Sequence, residues 1–171
     1  MPDPIFSDRR LAAIYDALDP ARSDPPVTVD VAFMTANVAQ VFLTDDEWMS
    51  TLRALHDALR PGGRLVFESR DPARKAWPQW GRDASYNETD IPGVGAVEAW
   101  SDVTDVADDL VTFRWTYVFR SDGVGITSDS TLRFRTRDEL TTSLALAGFT
   151  VDEVRGAPDR PGREFVFIAS R

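Results

Sequence analysis

Apolar positions along the chain follow first a helical spacing and then a strand-like run. A helix ending at Pro20 is predicted by residues that recur at i, i+3, i+4 and i+7 and share one face, namely Leu11, Ile14, Tyr15 and Leu18. The next apolar run, Val29–Met34, is short and follows two prolines. Its length and composition predict a buried strand that is covered on both faces, as in a parallel sheet.

Two helix starts are marked by the same pair of residue types. Thr44 with Glu47, and Thr136 with Glu139, form capping boxes, in which the threonine and the glutamate satisfy each other's backbone donors. The first box opens a helix that stops at residues 61–63 (Pro-Gly-Gly). Its apolar face consists of Trp48, Leu52, Leu55 and Leu59. A strand is predicted over residues 64–68, so the segment is a βαβ unit with parallel strands and a right-handed crossover.

The middle of the chain changes to a period of two, which is typical of antiparallel strands. The alternating apolar positions are Val111, Phe113, Trp115, Tyr117 and Phe119. Segments 96–103 and 126–135 are predicted to pair on either side, with an acidic loop at 104–109, to give a three-stranded antiparallel element. Residues 71–92 are predicted to be irregular. The second capped helix ends at Gly148, and a hairpin of residues 150–154 and 164–169 closes the chain across a loop at 156–162.

Length and charge limit the kinds of partner. The 171 residues favour a single domain, 1–171, with parts at 1–28, 29–71, 94–135 and 136–171. A net charge of −9 argues against non-specific binding to nucleic acid or to anionic membranes. No apolar stretch is long enough to span a bilayer, and the first residues do not form a signal peptide, so we expect a cytoplasmic protein.

Cysteine and metal chemistry are not expected. The chain has no cysteine, and its one histidine, His56, is predicted to lie on a helix surface away from the strand ends. The acidic loop lacks the spacing and the glycine of a calcium site, so we expect no metal. Glycine pairs occur at Gly93/Gly95 and at Gly123/Gly125, but neither lies between a buried strand and a helix, which indicates turns.

Several local motifs, in this order, resemble class I S-adenosylmethionine (SAM) dependent methyltransferases. The motifs are Tyr15-Asp16-Ala17-Leu18 in the first helix, Asp30 in the apolar strand, Asn37-Val38-Ala39-Gln40, Leu59-Arg60-Pro61-Gly62-Gly63, and the tail from Thr136 through Ala147-Gly148-Phe149. The resemblance covers nearly the whole chain. It implies an α/β fold: a truncated Rossmann-like sheet with strands equivalent to the family's fourth to seventh, plus the three-stranded antiparallel insertion.

The family's glycine-rich block has no counterpart here. Members place three strands and two helices between the first helix and the fourth strand, which takes about 60 residues for two overlapping βαβ units. This chain has only residues 21–28 in that place. The strand–Gly-x-Gly–helix motif and the acidic residue that holds the ribose hydroxyls are therefore missing. SAM is the cofactor that the resemblance implies, with a binding site that is incomplete.

The resemblance also implies where a site would lie, at the carboxyl ends of the strands. The implied cofactor-binding residues are Tyr15, Thr35, Ala36, Asn37 and Gln40. Glu68 and Arg70 are catalytic or substrate-orienting candidates. An apolar substrate pocket is implied for Trp77, Trp80, Trp115 and Tyr117. Purely structural roles remain possible for the same residues. Asn37 and Gln40 would then satisfy loop backbone groups, and Glu68 and Arg70 would form a charge pair at the strand end. The aromatic residues would belong to the core.

Loss of the family's first strand leaves Val29–Met34 at a sheet edge without a lysine or proline to protect it. We therefore expect a homodimer through this edge; a segment folding over the edge is the alternative. Three functions remain open. They are methyl transfer to a small molecule, a non-catalytic dimeric scaffold or small-molecule-binding remnant, and a truncated product without a selected function.

Overall fold

A computed structural model describes residues 28–171 of the chain, which form two four-stranded sheets and three α-helices. The strands are β1 (Val29–Met34), β2 (Leu59–Arg70), β3 (Asn87–Ile91), β4 (Gly95–Ala107), β5 (Leu110–Phe119), β6 (Gly125–Arg133), β7 (Thr150–Ala157) and β8 (Arg160–Ser170). The helices are α1 (Asp45–Ala58), α2 (Arg82–Ser85) and α3 (Arg137–Leu146), with 3₁₀ turns at Val38–Val41, Pro72–Arg74 and Trp77–Gln79. The helix predicted to end at Pro20, with Tyr15, lies outside the described residues.

The first sheet has the order β1-β2-β8-β7 and confirms the predicted βαβ unit. β1 and β2 run parallel, and α1 forms the crossover between them. Both capping boxes are present: the hydroxyls of Thr44 and Thr136 accept from the backbone N–H groups of Glu47 and Glu139, at 3.2 Å in each case. The α/β architecture and the antiparallel ends of this sheet match the fold that the resemblance implies.

The core lies between one face of this sheet and the two longer helices. Trp48 and Leu52 of α1 and Leu144 of α3 are almost completely buried against Phe67 and Phe167, whose rings stack at 5.0 Å. The indole Nε1 of Trp48 donates to the Ser143 hydroxyl at 2.8 Å and so links α1 to α3. Burial of these side chains is the main source of stability for the sheet.

Tight backbone packing fixes the start of the β1–β2 pairing. A Cβ atom at Gly63 would lie 2.8 Å from the carbonyl oxygen of Arg60 and 3.1 Å from that of Asp30 in β1. Gly62, beside it, has a φ of 79°, a conformation that other residues rarely adopt. Glycine is therefore required at Gly63 by close packing and favoured at Gly62 by the backbone conformation.

The prediction that β1 is covered on both faces is wrong for the described part of the chain. Met34 is buried on the helix side, whereas Val31 is 43% and Phe33 is 66% exposed on the other side. β1 is also the edge strand of its sheet among residues 28–171. A short apolar run predicts a strand but does not reveal how many of its faces are packed.

The antiparallel insertion has four strands instead of three, in the order β3-β4-β5-β6. The additional strand, β3, lies in the segment predicted to be irregular, and all five of its residues are exposed. It therefore has no apolar alternation by which a sequence could reveal it. β4 also extends to Ala107 past a bulge after Val103, so the predicted acidic loop is mostly strand.

Two arginines attach the insertion to the segment that leads into α1. Arg133 donates to the Leu43 carbonyl at 3.0 Å and forms ion pairs with Asp45 and Asp109 at 2.8 and 2.6 Å. Arg135, which is buried, donates to the carbonyls of Phe42 and Thr44. Burial lowers the pKa of the Arg135 guanidinium, and neighbouring Arg133 lowers it further.

The carboxyl-terminal part has the predicted helix and hairpin with different bounds. Gly148, at a φ of 94°, ends α3, and the Phe149 N–H donates to the Leu144 carbonyl at 3.0 Å. β7 and β8 continue through most of the predicted loop at 156–162, and Ala157 pairs with Arg160.

His56 is half-buried against Phe149, at 5.2 Å between ring centroids, so it is less exposed than the predicted surface histidine. No helix within residues 28–171 has the length and apolar character needed to cross a membrane.

Truncating the core should destabilise the protein strongly. We expect Leu52→Ala to lower the free energy of unfolding by about 2–5 kcal/mol, because it leaves a cavity where the side chain is fully buried. Leu146→Ala removes the same atoms from a leucine that is 71% exposed and is the matched control. Urea unfolding followed by circular dichroism measures both. Equal losses for the two variants would contradict the assignment of the core.

Candidate functional site

A strained turn directly follows β1 at its carboxyl end. Ala36 and Asn37 have φ values of 56° and 59°, so two successive residues other than glycine are left-handed. Such conformations cost about 1–3 kcal/mol each and are concentrated at functional sites. The turn is held by the backbone N–H of Asn37, which donates to Glu68 Oε1 of β2 at 3.2 Å. Thr35 and Ala36 are exposed, whereas Asn37 is buried.

A buried carboxylate, Glu164 in β8 opposite Arg70 of β2, joins this turn to the neighbouring strands. Its Oε1 accepts from Asn37 Nδ2 at 3.1 Å and from Arg160 Nη1 at 2.7 Å, and it lies 4.0 Å from Arg70 Nε. Only 4% of Glu164 is exposed. The hydrogen bond to Glu164 raises the pKa of Arg160, whereas burial lowers the pKa of Arg70, with partial compensation by Glu164.

Arg70 contacts a second predicted residue, Gln40. Gln40 Oε1 accepts from Arg70 Nη1 at 3.1 Å, and its amide nitrogen donates to the Arg133 carbonyl at 3.4 Å. The Arg70 guanidinium also lies 5.4 Å from the centre of the Trp80 ring. Arg70 does form a charge pair, as the alternative interpretation expected, but its acidic partner is Glu164 and not Glu68.

Two buried oxygen atoms in this network have no hydrogen-bond partner among residues 28–171. They are Asn37 Oδ1 and Glu164 Oε2. Buried polar atoms are nearly always paired with protein or with ordered water, and an unpaired one requires an explanation. Two acceptors in neighbouring side chains indicate that this corner can receive hydrogen-bond donors from a small molecule or from water.

The predicted aromatic residues divide into two groups. Trp80 and Trp115 line a cavity of about 160 Å³, together with Arg70, Ser101, Phe113 and Leu132. Trp77 packs edge-on against Phe134 at 4.9 Å and lines neither this cavity nor the larger one described below. Tyr117 stacks on Trp115 at 6.0 Å and lines neither of them either.

A larger cavity of about 590 Å³ opens beside the small one and shares Arg70 and Trp80 with it. Both lie where β2 ends, which is where ligands bind in open α/β sheets. The structure thus brings together Asn37, Gln40, Glu68, Arg70, Trp80 and Trp115. Glu164 and Arg160 were missed, because a single acidic residue before an apolar strand gives no signal in the sequence. Tyr15 lies outside the described residues.

Part of the implied cofactor-binding set is already hydrogen-bonded within the protein. Gln40 is committed to Arg70 and Arg133, and the Asn37 amide nitrogen to Glu164. Thr35 and Ala36 offer exposed positions directly after β1. No group of three or more His, Asp or Glu residues suited to a metal occurs in the part of the chain that the structure describes.

The network around Glu164 should support the local structure. We expect Glu164→Gln to lower the free energy of unfolding by about 1–3 kcal/mol, because Arg160 and Arg70 lose their charged neighbour. Glu153→Gln, at an exposed position in β7, is the matched control. Chemical unfolding of both variants is the measurement. A Glu164→Gln protein as stable as the control would show that the ion pairs contribute nothing.

The chain has the fold of SAM-dependent methyltransferases of known structure. One similar structure, from Clostridium acetobutylicum ATCC 824, has a TM-score of 0.63 at 12% identity over 84% of this chain and 58% of that one. A sugar N-methyltransferase from Streptoalloteichus sp ATCC 53650 has a TM-score of 0.63 at 19% identity over 88% and 59%. A SAM-bound amino pentose methyltransferase from Micromonospora echinaspora has a TM-score of 0.60 at 22% identity over 95% and 70%.

The chain therefore spans less than two thirds of the length of the first two of these proteins. No family model matches the sequence, and no curated protein matches it. At these identities the likeness establishes the fold.

Proposed function

We propose that this chain is a methyltransferase-like protein that retains the small-molecule side of a methyl-transfer site and has an incomplete SAM side. One observation carries the proposal: the wall of the larger cavity includes Glu164, which accepts a hydrogen bond from Asn37 of the strained turn. In an open α/β sheet this is the position in which a ligand binds. The similar structures are SAM-dependent methyltransferases, two of which act on sugars or amino pentoses according to their descriptions.

The residues around the cavity have distinct proposed roles. Trp80 and Trp115 provide apolar walls, and Arg70 provides a positive charge that Gln40 and Glu164 hold in place. Glu68 and Asn37 keep the carboxyl ends of β1 and β2 together through the 3.2 Å hydrogen bond. Methyl transfer depends chiefly on alignment of the acceptor with the methyl donor, so such a rigid wall is the part that this chain contributes.

The incomplete SAM side follows from the sequence between the predicted first helix and β1. Residues 21–28 cannot hold a strand, a glycine-rich turn and a helix, whose backbone N–H groups would contact the cofactor. Without these donors and the ribose-binding acid, the chain has no equivalent of the groups that give an intact enzyme its affinity.

Titration with SAM, and with S-adenosylhomocysteine, by calorimetry tests this part. We expect dissociation constants weaker than about 1 mM for both, a binding free energy of only about −4 kcal/mol. Tight one-to-one binding would contradict the incomplete SAM side. If binding is tight, Asn37→Ala locates it: loss of binding in this variant would place the cofactor at the end of β1.

A second function, a dimeric scaffold, is favoured by the edge of the first sheet. β1 has no partner on its outer side within residues 28–171, and its exposed Phe33 and Val31 are apolar. An unprotected apolar edge strand is a template for another strand. Pairing of two β1 strands about a two-fold axis would join two four-stranded sheets into one continuous sheet.

Light scattering at micromolar concentration tests the dimer. We expect twice the mass of one chain for the wild type and the mass of one chain for Phe33→Lys, because a charged side chain protects an edge. Val41→Lys, at an exposed position in the 3₁₀ turn, is the control and should remain dimeric. A monomeric wild type would exclude the proposed dimer.

A further inference from the structure

Arginines dominate the wall of the larger cavity, although the chain as a whole carries a net charge of −9. Its lining residues include Arg70, Arg74, Arg160 and Arg163, with Glu164 as the only carboxylate among them. Trp80, Gln79 and the segment Pro161-Gly162 complete most of the remaining wall. Four guanidinium groups around one cavity repel one another, so their convergence in an acidic protein requires a physical reason.

Three carboxylates lie close to these arginines and compensate part of their charge. Glu164 is buried and accepts from Arg160, and it already compensates Arg70. Asp71 lies 3.9 Å from Arg74 and Asp159 lies 3.4 Å from Arg160, both outside the cavity wall. Within residues 28–171 no carboxylate lies within 4.0 Å of Arg163. The cavity wall itself therefore has four guanidinium groups and one carboxylate.

The backbone beneath the arginines is well defined by hydrogen bonds. The Asp71 N–H donates to the Arg163 carbonyl at 2.9 Å, which ties the end of β2 to the start of β8. The Asp71 side chain caps the 3₁₀ turn that carries Arg74, accepting from the Ala73 N–H at 2.9 Å. Arg70 is fixed by Gln40 and Trp80. Such support holds the guanidinium groups in position before a ligand arrives, which reduces the entropy lost on binding.

The chemistry of these groups defines the ligand. Planar guanidinium forks recognise the oxygen atoms of phosphate and carboxylate groups in a bidentate manner. Four arginines on one cavity wall offer more hydrogen-bond donors than a single ligand carboxylate can accept, which favours a phosphate or diphosphate. The smaller cavity, which shares Arg70 and Trp80, is lined by Phe113, Trp115 and Leu132 and suits an apolar or ring portion.

We propose that the arginine-lined cavity binds the phosphate or diphosphate group of a small organic ligand whose remaining part enters the cavity beside Trp80 and Trp115. This inference rests on the small-molecule side of the proposed function, and names the chemical class of that molecule. It does not depend on SAM or on dimerisation, so the experiments on those features can fail separately.

Calorimetric titration with inorganic pyrophosphate, without SAM, tests the proposal at low and at moderate salt. We expect saturable binding that weakens as salt rises. Arg74→Gln and Arg163→Gln should each weaken it by about tenfold, because each removes a charged hydrogen-bond donor. Both side chains are exposed, so these variants should fold normally, which circular dichroism verifies. Arg53→Gln, an exposed arginine of α1 outside the cavity wall, is the matched control.

The outcomes separate the alternatives. Pyrophosphate binding that is lost with Arg74 and Arg163 but kept in Arg53→Gln supports the site. Absence of saturable binding at millimolar pyrophosphate and low salt overturns it, as does equal binding by all three variants. A parallel titration with malonate distinguishes the ligand class: malonate binding as tight as that of pyrophosphate would contradict the assignment to phosphate.

Discussion

The parallel pairing of β1 with β2 determines where the rest of the structure can form a site. Parallel strands need a long crossover, which α1 provides, and they place both carboxyl ends at one edge of the sheet. The turn after β1 and the 3₁₀ turns after β2 therefore lie side by side. β8 runs antiparallel to β2 and brings its first residues, including Glu164, to the same edge. Groups from three distant parts of the sequence meet because of this arrangement.

Glu164 shows how one buried charge organises that edge. It contacts Asn37 after β1, Arg70 at the end of β2 and Arg160 at the start of β8. A buried carboxylate needs compensating partners, and the contacts of Glu164 Oε1 hold three chain segments together. The same contacts leave Arg70 directed towards Trp80, between the two cavities. Support of the fold and shaping of the cavity thus share the same residues.

The elements with a strong local signal were predictable from the sequence. Both capping boxes are visible as a threonine followed three residues later by a glutamate. The parallel unit and β5 are visible in the spacing of their apolar residues. β3 could not be predicted, because its exposed residues have no apolar period and its position is set by pairing with β4. Likewise the strand-end positions of Asn37, Gln40 and Arg70 were predictable. Glu164 and Arg160 approach those three residues only because β8 pairs with β2.

At the amino ends of β1 and β2, Gly63 leaves no room for a side chain. A side chain there would collide with the carbonyl oxygens of Arg60 and Asp30, and the amino ends of β1 and β2 would have to separate by some tenths of an ångström. The hydrogen bond from Asn37 to Glu68 connects the same two strands at their carboxyl ends. Gly63 thus lets the amino ends of β1 and β2 approach closely, in the same strand pair whose carboxyl ends carry the candidate site.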